Sequence, residues 1–266
     1  MVSFQPDKCI GCDRCFQLCE QRAHTLVADR HVLDRQRCVA CGTCLEECYA
    51  GALELVGRRA SVAEVMAVVR RDQPFYQTSG GGLTLSGGEP TLQIDFAQAL
   101  LQAAQEEGLH CCVETCGFAP FSHFERLLPL VDLFLFDLKE TDEERHRLFT
   151  GVPNRRILEN LRLLHERGAR LRLRLPLVPQ YNARPEHLTS TAALIHSLPG
   201  LEGVELMPYH RLGASKLERL GLEPARMAEV EPPDAAVLES WIDAFAALDV
   251  KVLNGQPAAQ HPLQRE

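Results

Sequence analysis

Beyond about residue 58, short apolar runs alternate along the chain with longer segments in which apolar residues recur every three or four positions. The short runs predict buried strands, and the longer segments predict amphipathic helices. The strands are predicted over residues 83–86, 109–115, 132–136, 170–178 and 203–208. Regular alternation of strands and helices predicts parallel βα units with the helices outside, in an open sheet or in a full or partial barrel.

Capping signals set the limits of several helices. Ser61-Val-Ala-Glu64 has the pattern of a capping box and predicts a helix that runs to about residue 72. Asn154 is placed to cap a helix that runs to Glu166, and Gly168 is placed to end it. Further helices are predicted over 95–107, 121–128, 185–198 and 234–248, followed by a short strand over 250–253. In such folds the carboxyl ends of the strands carry the chemistry.

The start of the chain differs in composition, because eight of the eleven cysteines precede Tyr49. The other three lie between Cys111 and Cys116. Clustered cysteines in a reducing cytosol indicate metal or redox chemistry rather than disulfides. We therefore predict a cysteine-rich domain over residues 1–57, an α/β domain over 58–254 and a disordered tail over 255–266.

Composition limits the cellular locations and the classes of partner that are expected for this chain. With 266 residues, of which 45% are hydrophobic, the chain can bury one large core and a smaller second one. A formal net charge of -8 argues against binding to nucleic acid or to an anionic membrane surface. The sequence contains neither an apolar stretch of transmembrane length nor the pattern of a signal peptide. We therefore expect a cytoplasmic protein with no nucleic-acid or membrane partner.

Two four-cysteine motifs with the same spacing dominate the cysteine-rich head. Each reads C-x-x-C-x-x-C-x-x-x-C, the spacing of bacterial ferredoxins that hold two 4Fe-4S clusters. In that arrangement the fourth cysteine of each motif reaches the other cluster. The first set is therefore Cys9, Cys12, Cys15 and Cys48, and the second is Cys38, Cys41, Cys44 and Cys19.

A pair of zinc sites is the alternative, although zinc sites usually pair two C-x-x-C units. Glu20 and Tyr49 stand where ferredoxins usually have proline.

Candidate ligand-binding motifs follow the predicted strands. Gly87-Gly88-Glu89-Pro90 is a turn that lets a ligand approach the backbone, with a carboxylate able to bind an ammonium group. The other motifs are Glu114-Thr115-Cys116-Gly117, Asp137-Leu138-Lys139 and Tyr209-His210-Arg211. Each has an ordinary structural alternative: a tight turn, a surface ion pair or a loop-filling histidine. Their common location at strand ends favours a ligand site.

Four segments of the chain resemble the glycyl-radical-enzyme activating enzymes of the radical S-adenosylmethionine (SAM) superfamily. They are residues 75–90, 114–117, 132–139 and 206–210. The resemblance covers nearly the whole chain, and it is to the subgroup, similar to pyruvate formate-lyase activating enzyme, that carries a two-cluster ferredoxin insert. It implies an α/β fold: a partial parallel (β/α) barrel of radical SAM type that lacks its first strand, preceded by a ferredoxin-like domain.

The resemblance also implies roles for individual residues. Gly87, Gly88 and Glu89 resemble the loop that binds the methionine amino group of SAM. The other implied SAM contacts are Glu114, Thr115, Asp137, Leu138, Lys139 and His210. Arg174 resembles an arginine that points into the barrel, with a plain structural role as the alternative. Gln180 stands where the family usually has glycine, so that turn is expected to differ.

One motif of the family is absent from the sequence. Activating enzymes hold a third, radical-generating 4Fe-4S cluster by C-x-x-x-C-x-x-C, and no such spacing occurs here. Cys112 and Cys116 have one of the two intervals, but no cysteine follows at the other. We expect Cys111 and Cys112 to be buried structural thiols, and Met1 to be an internal methionine of a longer protein, with a truncated gene as the alternative. The third cluster is expected only in a complete chain, and the catalytic residues stay unassigned.

The activity that the resemblance implies is that of a radical SAM oxidoreductase. It cleaves SAM reductively and leaves a glycyl radical on a partner glycyl radical enzyme, under anaerobic conditions, with flavodoxin or ferredoxin as electron donor. The chain as printed lacks the radical-cluster cysteines that this activity requires. The alternative is a ferredoxin-like electron carrier with a vestigial or SAM-binding barrel. That alternative explains the missing motif but not the retained strand-end residues.

Overall fold

The structure, a computed structural model, describes residues 1–222 and 229–254. The chain forms two compact units. The first comprises Met1–Arg59 with His210–Val230, and the second comprises Ala60–Tyr209 with Glu231–Glu266. The domain limits predicted at residues 57 and 58 stay predictions. The tail predicted to be disordered, 255–266, lies outside the described residues.

The cysteine-rich unit contains two short antiparallel strand pairs and two short helices near its cysteines. These elements are β1 (Val2–Phe4) paired with β4 (Leu53–Leu55), β2 (His24–Val27) paired with β3 (Arg30–Leu33), α1 (Arg14–Leu18) and α2 (Thr43–Glu46). The buried apolar core is small, consisting of Val2, Phe4, Ala23, Leu33, Cys44, Ala52 and Leu53. Further cysteines pack directly around it. A core of this size rarely stabilises a domain without a metal or another crosslink.

The larger unit contains a parallel sheet whose strand order follows the chain. Its strands are β5 (Gly82–Leu85), β6 (His110–Thr115), β7 (Leu133–Asp137), β8 (Leu171–Leu177) and β9 (Val204–Pro208). The helices before and between them are α3 (Val62–Val69), α4 (Gln73–Ser79), α5 (Ile94–Glu106), α6 (Phe121–Leu127), α7 (Glu143–Thr150), α8 (Arg155–Glu166) and α9 (Pro185–His196). The predicted parallel α/β architecture is therefore confirmed.

Two helices complete the described chain: α10 (Ala214–Arg219) in the first unit and α11 (Ala235–Ala247) in the second. The sequence assigned residues 210–230 to the larger domain, whereas the structure groups the described part of this segment with the cysteine-rich unit. Arg35 supplies a physical reason, because its guanidinium donates to the backbone carbonyls of Val2 and Arg219. This arginine thus ties α10 to the strand that begins the chain.

Strand β8 illustrates how the sheet separates apolar and charged side chains. Its buried positions alternate and are at most 1% exposed: Leu171, Leu173, Leu175 and Leu177. Arg172 and Arg174 lie between them and project to the opposite face, because side chains alternate across a strand. The leucines join the apolar core, while both arginines pair with carboxylates. One face of the strand is therefore packed and the other is charged.

The predicted helix over residues 61–72 is interrupted. It ends at Val69, and a 3-10 turn leads into the short helix α4, which has Pro74 in its first turn. Proline lacks a backbone N–H and fits the start of a helix better than its interior. Helix α7 was not predicted, and it begins where the Asp142 side chain accepts a hydrogen bond from the Arg145 amide.

Local hydrogen bonds confirm one predicted cap and correct another. The capping box of Ser61 and Glu64 is present. Asn154 occupies the first position before α8, but it does not cap the helix; its side-chain amide donates instead to the carbonyls of Glu140 and Thr141. The short strand predicted over 250–253 is reduced to a single parallel bridge between Val252 and β9.

Candidate cofactor sites

The two cysteine loops share one backbone shape. In each loop the residues that flank the second cysteine have positive φ: Gly11, Asp13, Ala40 and Gly42. This left-handed conformation is uncommon for residues with a Cβ, and the fold holds Asp13 and Ala40 in it against a local cost. A loop curled in this way around a common centre brings its cysteines toward one point. The backbone therefore fits the requirement of a cluster held by three closely spaced thiolates.

The first predicted ligand set lines one cavity of about 610 Å³. All four members face it: Cys9, Cys12, Cys15 and Cys48. Cys44 of the second set lines the same cavity, so cysteines of both motifs meet there. The rings of Phe4, Phe16 and His31 line the same cavity. Thiols set among aromatic side chains are suitable surroundings for an iron–sulfur cluster, whose potential depends on shelter from water.

The cysteines of the second predicted set lie close to one another, and Cys44 also lies close to the first set. Burial raises the pKa of the Cys44 thiol to about 11, and the neighbouring sulfurs of Cys19, Cys38 and Cys41 contribute to the rise. Burial likewise raises the pKa of Cys15 in the first set to about 11, with contributions from Cys44 and Cys9. Iron binds thiolates, so cluster assembly must displace protons from both thiols.

Two histidines that sequence analysis did not single out lie against the first ligand set. His31 Nδ1 is 3.5 Å from Cys9 Sγ, and its Nε2 is 3.9 Å from Cys15 Sγ. The same Nε2 lies 2.9 Å from Nδ1 of His24. Burial and the proximity of His31 lower the pKa of His24 to about 4, and burial also lowers the pKa of His31.

In the larger unit, the turn after β5 holds Glu89 in a fixed position. The Glu89 carboxylate accepts hydrogen bonds from the Thr91 amide at 3.2 Å and from the Thr91 hydroxyl at 2.7 Å. The Thr115 hydroxyl lies 3.0 Å from each carboxylate oxygen, and the Cys116 amide donates at 2.9 Å. Two motifs that the sequence separates by some twenty residues therefore meet at one carboxylate.

The two glycines of this turn leave room for a ligand. Gly87 has φ +121°, a conformation that residues with a side chain rarely adopt. A Cβ built on Gly87 or Gly88 would meet nothing within 4 Å, so the turn borders open space. The backbone is thus accessible beside the Glu89 carboxylate.

Three charged residues on adjacent strands form an ion-pair network. Arg174 on β8 contacts the carboxylate of Glu114 on β6, and its Nε lies 3.8 Å from Oδ1 of Asp137 on β7. Burial raises the pKa of Asp137, against the opposing positive charges of Arg174 and Lys139. Within the part of the chain that the structure describes, Asp137 Oδ1 is buried without a hydrogen-bond partner. This oxygen is therefore an acceptor that a bound ligand can use.

The remaining predicted ligand contacts lie outside this ion-pair network. Lys139 is exposed, and its charge affects the pKa values of both Asp137 and Cys116. Leu138 is 1% exposed with its side chain in the core, so only its backbone is available to a ligand. His210 is exposed and begins the segment that groups with the cysteine-rich unit. The structure thus brings together the predicted residues that follow β5, β6 and β7, and His210 belongs to the other unit.

Cys111 and Cys112 are buried on strand β6, at 0% and 6% exposure. The Cys111 thiol lies 3.5 Å from the carbonyl oxygen of Leu109, and burial raises its pKa to about 11. Burial also raises the pKa of Cys112. Both thiols are buried, as predicted, and their structural role stays a prediction.

Comparisons with known proteins identify a common family. A family model for the Radical SAM superfamily matches residues 45–191, and one for a 4Fe-4S dicluster domain matches residues 1–49. The chain is 36% identical to the trans-4-hydroxy-L-proline dehydratase activating enzyme of Clostridioides difficile, over 92% of this chain and 82% of that protein. It is 42% identical to the isethionate sulfite-lyase activating enzyme of Oleidesulfovibrio alaskensis, over 98% of this chain and 81% of that protein.

The chain belongs to the glycyl-radical-enzyme activating enzymes. This activating enzyme is thus a radical SAM oxidoreductase, and iron–sulfur clusters and SAM are its cofactors. A solved domain of pyruvate-formate lyase-activating enzyme from Bacteroides vulgatus aligns with a TM-score of 0.54 and 28% identity, over 65% of this chain and 97% of that domain. None of the described helices combines the length and the hydropathy that a bilayer crossing demands.

The activating enzyme also contains a buried ion network that sequence analysis missed. Glu140 follows β7 closely, is 1% exposed, and accepts hydrogen bonds from the amides of Thr141 and Asp142 and from Arg184 at 2.8 Å. His187, which is fully buried on α9, has Nδ1 3.3 Å from the same carboxylate. Burial alone would raise the pKa of Glu140, but these hydrogen bonds lower it to about 2. The ionised carboxylate therefore holds the segment after β7 to α9.

Proposed function

We propose that this activating enzyme cleaves SAM reductively and leaves a glycyl radical on the backbone of a partner glycyl radical enzyme. The names of its relatives support a protein as the substrate, since each is called an activating enzyme of another enzyme. Flavodoxin or ferredoxin is the proposed electron donor, because two clusters in one small domain suit the relay of single electrons.

The eight head cysteines are the proposed cluster ligands, in the two crossed sets given above. The cavity lined by the whole first set supports this assignment. The matching left-handed residues in both loops support it as well, because two clusters held by repeated motifs require loops of similar shape. Bound clusters would supply reversible one-electron chemistry, and the protein would position and shelter them.

The proposed SAM site lies at the ends of β5, β6 and β7. Glu89 offers negative charge for the methionine ammonium group, and the open backbone at Gly87 and Gly88 lets that group approach. Asp137 offers a buried acceptor for a ligand hydroxyl. The further proposed contacts are Glu114, Thr115, Leu138, Lys139 and His210, with Leu138 acting through its backbone. Bound SAM supplies the sulfonium whose reductive cleavage starts the hydrogen abstraction.

The observation that carries the proposal is the fixed carboxylate of Glu89. Thr91, Thr115 and the Cys116 amide together hold it beside an open turn. A simple electron carrier has no use for a carboxylate fixed in this way. A site that must recognise an ammonium group does need one, because a carboxylate already held in place loses little freedom on binding.

The test is SAM binding by the chain after anaerobic reconstitution with iron and sulfide. We expect saturable binding of radiolabelled SAM in equilibrium dialysis, and at least about tenfold weaker binding for Glu89→Gln, since hydrogen bonds to charged groups contribute about 1.5–3 kcal/mol. Glu125→Gln is the matched control, because Glu125 forms only an exposed ion pair with Arg167. Absence of SAM binding by the wild type, or equal binding by both variants, would contradict the proposed site.

A further inference from the structure

The imidazole of His31 is fixed in the cavity of the first ligand set. Phe4 and Phe16 pack against it, with ring centroids 4.4 Å and 4.9 Å from that of His31. Its Nε2 is held at 2.9 Å by Nδ1 of His24, a residue that is 5% exposed. The ring therefore has a defined orientation, with Nδ1 directed at the Cys9 sulfur.

The distances identify the His31 nitrogen that contacts the cluster ligands. A thiolate bound to iron carries no proton, so the ligand sulfurs can only accept a hydrogen bond. Nδ1 of His31 lies 3.5 Å from the Cys9 sulfur, whereas Nε2 lies 3.9 Å from the Cys15 sulfur and 2.9 Å from Nδ1 of His24. This geometry makes Nδ1 the donor to the Cys9 sulfur and gives Nε2 to the contact with His24.

The internal repeat offers a direct comparison with the second cluster. The offset in sequence that takes Cys9 to Cys38 also takes Val2 to His31 and His24 to Leu53. Val2 and Leu53 are both buried and apolar, at 2% and 4% exposure. The histidine pair at the first ligand set therefore has an apolar counterpart in the other half of the repeat. There the Cys19 sulfur accepts from the Ala23 amide at 3.3 Å, and the Cys41 sulfur lies 3.6 Å from the Thr43 hydroxyl.

We propose that His31, oriented by His24, donates a hydrogen bond to a ligand sulfur of the Cys9, Cys12, Cys15 and Cys48 cluster and raises the reduction potential of that cluster. The inference rests on the proposed crossed ligand sets. A hydrogen bond to a ligand sulfur favours the reduced cluster, because reduction adds negative charge that the donor stabilises.

The test is an anaerobic redox titration of the reconstituted chain, followed by electron paramagnetic resonance. The wild type should show one potential for each cluster. His31→Phe retains the aromatic packing but removes the donor, so one of the two potentials should shift down while the other stays unchanged. His24→Leu copies the other half of the repeat and should cause a smaller shift in the same direction, because it frees His31 to turn.

Two further variants separate a hydrogen bond from a packing effect. His31→Gln keeps an N–H donor, so it should retain a higher potential than His31→Phe. His165→Gln is the matched control, because His165 is a half-buried histidine of the larger unit whose ring bonds the carbonyl of Pro199, and it should change neither potential. Unchanged potentials in His31→Phe, or equal shifts in the Phe and Gln variants, would overturn the inference.

Iron content distinguishes this inference from the proposed function. About eight irons per chain, from two four-iron clusters, are expected in the wild type and in every histidine variant. A wild type without two clusters would refute the proposed ligand sets themselves. Two clusters in the wild type but only one in both His31 variants would overturn the inference alone, because His31 would then be needed for assembly rather than for tuning.

Discussion

Glu140 and Glu186 form a matched pair at the residue scale, because both contact Arg184 but only Glu140 is buried. Glu140→Gln should lower the free energy of unfolding by about 3 kcal/mol, since it removes the buried negative charge that pairs with Arg184 and accepts the amide hydrogen bonds of Thr141 and Asp142. Glu186→Gln should lower it by less than about 1 kcal/mol, because the Glu186 side chain is 74% exposed. Urea denaturation followed by circular dichroism measures both, and similar losses would contradict this assignment.

The pKa of Glu140 adds a pH dependence to this prediction. The carboxyl has a pKa of about 2 in the folded chain, against an ordinary value of 4.5. Its contribution to stability is therefore complete above about pH 4.5 and is lost as the pH falls toward 2. The stability difference between the wild type and Glu140→Gln should accordingly shrink over that range and stay constant above it.

At the residue scale, the sequence identified functional residues that belong to a recognisable motif. It missed residues whose role depends on which side chains the fold places beside them. The cysteines and Glu89 belong to recognisable spacings. His31 and Glu140 do not, since a lone histidine in a hairpin or a lone glutamate after a strand has no distinctive spacing. Their roles depend on partners far along the chain, such as Arg184 for Glu140, and only the fold brings these together.

Helix α3 provides a prediction at the scale of the element. The Ser61 hydroxyl accepts from the Glu64 amide, and the Glu64 carboxylate accepts from the Ser61 amide at 2.7 Å. Ser61→Ala should destabilise the protein by about 1 kcal/mol, and Ser61→Asp should restore most of the loss, because Asp is an equally good cap. Thermal denaturation measures the effect. Ser240→Ala, at an exposed site in α11, should be nearly neutral, and equal losses at the two serines would argue against the cap.

Elements were predictable where apolar residues follow a clear period. The five parallel strands stand out because their apolar runs are buried. Helix α7 was missed because it is highly charged and buries only His146, so its sequence lacks an apolar face. The strands of the cysteine-rich unit are three or four residues long, too short to show a period.

At the scale of the whole molecule, the two units should respond differently to iron removal. The cysteine-rich unit has a small apolar core surrounded by cysteines, whereas the larger unit has an extensive core of its own. Chelation should therefore expose residues 1–59 to protease while residues 60–209 stay resistant, because metal binding and folding are coupled in small metal domains. Limited proteolysis with mass spectrometry checks this, and equal protection of the head before and after chelation would contradict it.

The burial of Cys111 and Cys112 determines which cysteines of the purified protein an alkylating reagent detects. A thiol with a raised pKa inside a core reacts slowly with alkylating reagents, because the thiolate is the reactive form and the reagent needs access. After brief alkylation of native protein, the added mass therefore reports mainly on the head cysteines. Each assembled cluster protects four of these cysteines from alkylation. The mass of the intact alkylated protein therefore gives the number of clusters without absorption or electron paramagnetic resonance spectroscopy.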